Sequence, residues 1–216
     1  MPYLRRAADN GDDSAALLLG MHFSDEGRRD ESEPYLRRVA DGGHGGASLI
    51  LGMDLRSESR YAEAEPYLRQ AADAGENGAA FLLAADLIDQ ERHAEAEHYL
   101  RPRADGGDDE AGLLLGMSLD KQARHAEAEP YLRRLVERGY GSAVLLLGMN
   151  LDAQGRHVEA EPHLRQAAGG GDPGALLMLA VNLLRQGRRK EGSHQLDQII
   201  AMGNKSASSS TGSTAQ

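Results

Sequence analysis

Cysteine is absent from this 216-residue chain. Its absence excludes disulfide scaffolds, thiolate metal sites and cysteine nucleophiles. Tryptophan is absent as well and only 2 phenylalanines occur, so the 40% of apolar residues is mostly leucine and alanine. Basic residues are outnumbered: 24 Lys and Arg stand against 34 Asp and Glu, a net charge of −10. A surface of that sign argues against DNA or RNA as the main partner, because phosphate recognition needs basic charge. No apolar run approaches the length of a membrane span. The opening residues MPYLRRAADN lack the apolar stretch of a secretory leader, so a soluble, cytoplasmic protein is expected. Strand-type alternation is missing throughout. The chain is nevertheless long enough to bury a large core.

What is present is an internal repeat with a period of 32 residues. PYLRRAADNG starts at Pro2, PYLRRVADGG at Pro34, PYLRQAADAG at Pro66, HYLRPRADGG at His98, PYLRRLVERG at Pro130 and PHLRQAAGGG at Pro162, with a worn copy at His194. Leu36, Leu68, Leu100, Leu132 and Leu164 share one column, and Gly43, Gly75, Gly107, Gly139 and Gly171 another. Leu19, Leu51, Leu83, Leu115, Leu147 and Leu179 are each followed by Gly or Ala. Arg28, Arg60, Arg92, Arg124, Arg156 and Arg188 recur, as do Glu31, Glu63, Glu95, Glu127, Glu159 and Glu191.

Each unit reads as two helices. Over residues 109–137, Ala111, Leu114, Leu115, Ser118 and Leu119 have the spacing of one buried helical face, with Asp108 or Asp109 as N-cap. Ala128, Leu132 and Leu135 give the stripe of a second helix, which Gly139 ends in a left-handed conformation. Glycine inside the first helix costs about 1 kcal/mol against alanine, so its reuse implies that the paired helix approaches closely. Pro34, Pro66, Pro130 and Pro162 fall near the fifth residue of the second helix. Proline is comfortable only in the first turn, so these helices either start later than drawn or are kinked. Leu115→Ala should cost about 2–5 kcal/mol.

The string from Leu147 to Ala168, with Leu147–Gly148, Leu151, Gly155, Ala160, Leu164 and Ala167, resembles a tetratricopeptide (TPR) repeat. The stretch from Ala71 to Ala84 is similar to the related Sel-like repeats. The unit is two residues shorter than the usual TPR, and the family tryptophan is missing. The resemblance covers residues 2–203 and implies an all-α, right-handed superhelical solenoid of six 32-residue helix-turn-helix repeats. The expected layout is a half-repeat at 2–9, hairpins near 13–41, 45–73, 77–105, 109–137, 141–169 and 173–202, and a disordered low-complexity tail at 204–216.

By the same resemblance, two columns of the first helices line a concave groove. One is Leu17, Leu49, Phe81, Leu113, Leu145 and Leu177; the other is Met21, Met53, Ala85, Met117, Met149 and Val181. This Leu/Met ladder is either an open groove for an amphipathic helix or extended peptide, or core closed upon itself. Leu and Met here replace the Lys, Asn and Arg with which some TPR proteins grip the C-terminal carboxylate of heat-shock chaperones, so a chaperone-tail clamp is not expected. His93, His125 and His157 share a column, but histidines on successive repeats do not converge as metal ligands do, and they read as solvated helix-start residues. Arg124 and Glu127 read as a surface pair worth a few tenths of a kcal/mol. Neither a phosphate-binding glycine loop nor a nucleophile constellation is found. Asp108–Asp109–Glu110 has no partner set, so no catalysis, cofactor or metal is expected.

Departures from the repeat mark further candidates. Phe81 and Ile88 beside Ala84–Ala85 suggest a wider apolar spot. Pro102–Arg103, deep in a helix, suggests either a hinge between two halves or a tolerated kink. The leading expectation is a protein–protein interaction scaffold binding a peptide or helix in the groove. The alternatives are homo-oligomerisation through the end helices, with Leu4, Ala7 and Ala8 on one of them, and a regulatory module of a larger protein.

Overall fold

The computed structural model of the chain describes residues 2–76 and 78–211, and among them there are thirteen α-helices and no strand. The chain divides into two compact units, Met1–Arg103 and Ala104–Gln216. In the N-terminal unit α1 (Pro2–Asp9) packs on α2 (Asp13–Asp25), which pairs with α3 (Arg29–Asp41). α4 (Gly45–Ser57) pairs with α5 (Tyr61–Asp73), and α6 (Ala79–Asp89) follows. α7 (His93–Asp105) runs across the division. The C-terminal unit holds the hairpins α8 (Asp109–Lys121) with α9 (His125–Glu137), α10 (Gly141–Ala153) with α11 (His157–Ala168), and α12 (Pro173–Arg185) with α13 (Arg189–Thr211). Residue 77, where one hairpin is expected to start, lies outside the described residues, as do residues 212–216 of the expected tail. The helical backbone of α13 passes 203 and continues to Thr211.

Short-range chemistry sets these boundaries. Asp12, Asp108 and Asp172 accept a hydrogen bond from the backbone N–H three residues on, and the ring of His44 does the same for Ala47, so four first helices have a side-chain N-cap. The turn inside each hairpin needs one left-handed residue. Gly27, Gly155 and Gly187 supply it without strain, whereas Ser59, Glu91 and Ala123 adopt φ of 63°, 60° and 58°.

Leucine and alanine form the core. Leu19, Leu51, Leu83 and Leu115 are fully buried, as are Leu36, Leu68, Leu100 and Leu132 of the second helices. The glycine after the first-helix leucine has a packing cause. A Cβ on Gly20, Gly52 or Gly148 would sit 2.6, 2.7 or 2.8 Å from Cδ2 of Leu36, Leu68 or Leu164. The second-helix leucine therefore rests on bare first-helix backbone.

The structure corrects or narrows four expectations. The second helices do not start after their prolines: Pro34, Pro66, Pro130 and Pro162 lie inside α3, α5, α9 and α11. Two residues before each proline the same second helix carries a fully buried small residue, Ser32, Ala64, Ala128 or Ala160. Ser32 also donates to the carbonyl of Gly20 at 2.7 Å. Leu114 is half-exposed rather than core, because it faces the open side of α8. Ile88 is buried, so the wider apolar spot reduces to Phe81. Pro102 does not end α7, which continues to Asp105.

Candidate functional site

The first helices present one side to their hairpin partners and a second side to solvent. α2 touches α4 in the N-terminal unit, and α10 touches both α8 and α12 in the C-terminal unit, so their open sides adjoin within each unit. On this face the ladder is not closed core. Met21, Met53, Met117 and Met149 are 40%, 51%, 37% and 40% exposed. Leu177 is exposed, and Leu17, Leu49, Phe81, Ala85, Leu113, Leu145 and Val181 are half-buried. A third column completes the face: Leu18 is exposed, and Ile50, Leu82, Leu114, Leu146 and Met178 are half-buried. Sequence reasoning passed over it because a leucine beside a buried leucine also fits the core stripe. Its signal was an apolar residue at that position in every repeat.

At the C-terminal ends of these helices lies a polar seam between successive hairpins. Asn150 Nδ2 on α10 donates to Asp120 Oδ1 on α8 at 2.6 Å and to the carbonyl of His125 at 2.9 Å. One repeat on, Asn182 donates to Asp152 Oδ1 at 2.7 Å and to the carbonyl of His157 at 2.9 Å. Nδ1 of His125 and of His157 lies 2.9 and 2.7 Å from the same carboxylates. These histidines therefore tie first helix to second, and are not simply solvated. Among the described residues no group of three or more histidine and carboxylate side chains is arranged to hold a metal. Gln154 extends the seam outward, donating to Asn150 at 2.8 Å and to Glu129 at 3.0 Å.

The N-terminal unit builds the seam from other residues. Ser24 donates to Asp54 at 2.9 Å, and Arg56 grips Asp86 through Nε and Nη2 at 2.7 and 2.8 Å. Asp54 Oδ2 is buried without a hydrogen-bond partner. Burial pushes the Asp54 carboxyl above the usual range, against the hydrogen bond from Ser24 and the charge of Arg29.

The second helices carry a different pattern. Arg37 and Arg60 each bond both Glu33 and Glu63, at 2.7–2.8 Å, closing a four-charge cycle across two hairpins. Glu65, Arg69, Arg92 and Glu95 repeat it at 2.5–2.8 Å. Glu161, Arg165, Arg188 and Glu191 do so again in the C-terminal unit. The Arg/Glu columns therefore join repeats and do more than form local pairs such as Arg124–Glu127. The hydrogen bond from Arg60 pulls Glu63 down to about 2, and that from Arg92 does the same to Glu95. Charge on this face is self-cancelling, which leaves the first-helix face as the apolar, chemically distinct surface.

In the C-terminal unit that face contains a cavity of about 340 Å³ between α8 and α10. Met117, Leu146, Met149 and Ala153 form its walls, and Asp120, Lys121 and His125 its edge. Two of the predicted ladder residues, Met117 and Met149, are thus brought together on one hollow.

The family model described as tetratricopeptide repeat matches residues 17–79 and 113–175. No curated protein matches the chain. MamA (residues 41–end) from Desulfovibrio magneticus RS-1 is similar in structure, with TM-score 0.70, 15% identity, and coverage of 74% of this chain and 96% of that one. YrrB, a TPR protein with an unusual peptide-binding site, gives TM-score 0.67 at 20% identity, over 77% of this chain and 91% of its own. PilF of Pseudomonas aeruginosa gives 0.64 at 19% identity, over 88% and 91%. No helix among the described residues is long and apolar enough to cross a membrane.

Proposed function

This chain belongs to the tetratricopeptide repeat family, and from that premise we propose that it is a non-catalytic interaction scaffold whose first-helix face holds a peptide or amphipathic helix of a protein partner. One observation carries the proposal: the exposed methionines, Met21 and Met53 in one unit and Met117 and Met149 in the other, each one helical turn after a half-buried leucine, Leu17, Leu49, Leu113 or Leu145. Exposed apolar surface that adjoins within a unit, as here, marks interaction sites, and methionine adapts to varied apolar partners. The peptide-binding site of YrrB supports the same use of a TPR face. A cytoplasmic setting belongs to the same proposal.

Charge adds a preference. Unit Met1–Arg103 contains 12 Arg and 20 Asp and Glu, so it carries most of the net charge of −10. Ligands with basic flanks are favoured there by long-range attraction.

The test is affinity capture from the source lysate with the wild type and with Met117→Glu/Met149→Glu, whose exposed positions leave the fold intact by circular dichroism. The proposal expects a partner held by the wild type and lost from the variant. A partner held equally by both, by way of a face remote from these methionines, refutes it.

A further inference from the structure

We propose that the cavity beside Asp120 receives an arginine side chain of the partner protein. This rests on the reading of the first-helix face as a docking surface, and it names the chemistry of one anchor. The molecule displays the filled arrangement one repeat later. There Asp152 is held through Oδ1 by Asn182 and His157, as Asp120 is held by Asn150 and His125. Oδ2 of Asp152 accepts from Nη1 of Arg185. Arg185 stands 32 residues after Ala153, in the same repeat column. At the Asp120 site the guanidinium is thus replaced by a methyl group. A cavity of about 340 Å³ opens beside that methyl, and no described residue pairs with Asp120 Oδ2.

Arginine fits this hollow for three reasons. Its planar fork can meet a carboxylate, while its aliphatic stem packs on Met117, Leu146 and Met149. α8 and α10 both end beside the cavity, and helix C-termini favour a cation. The N-terminal unit uses the same pairing, with Arg56 on Asp86. Lys121, the last residue of α8, is the opposing charge at the edge, and His125 adds to it when protonated. Removing Lys121 therefore strengthens binding.

The test uses the full chain with ¹³C-methyl methionine, titrated by NMR with N-acetyl-argininamide and with its neutral citrulline counterpart. The Met117 and Met149 methyl signals move with arginine and not with citrulline. Asp120→Asn weakens the arginine response about tenfold or more, and Lys121→Ala strengthens it. Ala153→Arg rebuilds the Arg185–Asp152 arrangement one repeat earlier and abolishes the response with unchanged circular dichroism. An equal response to citrulline, no response to arginine, or a response that survives Ala153→Arg overturns the proposal. A capped Leu/Gln amphipathic helix without arginine is titrated alongside. If it moves the Met21, Met53, Met117 and Met149 signals while arginine is silent, the anchor fails and the docking face stands. If arginine responds and the helix does not, the docking face fails.

Discussion

The two units build the same seam with opposite polarity. In the N-terminal unit the earlier repeat donates and the later one accepts: Ser24 to Asp54, Arg56 to Asp86. In the C-terminal unit the later repeat donates and the earlier one accepts: Asn150 to Asp120, Asn182 to Asp152. The Arg/Glu cycles of the second helices, by contrast, have the same sense in both units. Back surface and leucine core are therefore interchangeable between repeats, whereas the seam beneath the docking face is specific. Setting a hairpin of one polarity beside a hairpin of the other would place carboxylate on carboxylate, or leave a donor without an acceptor.

Reversing the polarity at one place gives the largest expected effect. Asn150→Asp sets a buried carboxylate against Asp120 Oδ1, now 2.6 Å from the Asn150 amide. It should lower stability by about 2–3 kcal/mol in denaturant unfolding at neutral pH. Adding Asp120→Ser copies the Ser24–Asp54 arrangement and should recover most of the loss. Absence of recovery would mean that polarity is not the cause.

The hairpin turns give a smaller effect of known sign. Ala123 holds φ of 58° where Gly155 holds 76°. Ala123→Gly should therefore raise stability by about 0.5–1 kcal/mol, and Gly155→Ala should lower it by a similar amount.

Asp54→Asn moves the N-terminal seam toward the C-terminal kind, with an effect within about 0.5 kcal/mol that depends on pH. The Asp54 carboxyl is raised in the folded state, so its stabilising share is complete below the unfolded value and is lost as pH rises through the folded one. The asparagine variant should gain on the wild type as pH rises through and above the usual carboxylate range, and denaturation curves taken across that rise measure the gain.

Smallest in stability is Arg60→Gln on the common back surface. Glu63 is depressed to about 2. Its share of stability is present above the usual carboxylate value and is lost as pH falls through about 2. The variant should return Glu63 toward the usual range in a carboxyl NMR titration while shifting neutral-pH stability little, because the pair is exposed.

Much of the fold could be read from repeated columns. Asp108 as N-cap, Gly139 as helix stop and the glycine before a close helix approach each rest on one position and its local backbone. The seam and the Arg/Glu cycles were hidden for a geometric reason. Comparing columns aligns like with like at 32 residues, whereas these bonds join unlike columns: Asp120 to Asn150 at 30 residues, Arg37 to Glu63 at 26. The ladder was legible as a stripe, but its exposure was not. Leu114 and Leu115 are adjacent identical residues, one half-open and one buried, and only the packing of α8 against its neighbours separates them.

The most direct test is an oxidative footprint of the methionines in the chain alone and in complex with its captured partner. A docked partner should protect Met21, Met53, Met117 and Met149 from peroxide and leave Met202 on α13 as reactive as before. Protection of Met202 with the four ladder methionines unchanged would contradict the account, because the partner would then sit away from the first-helix face.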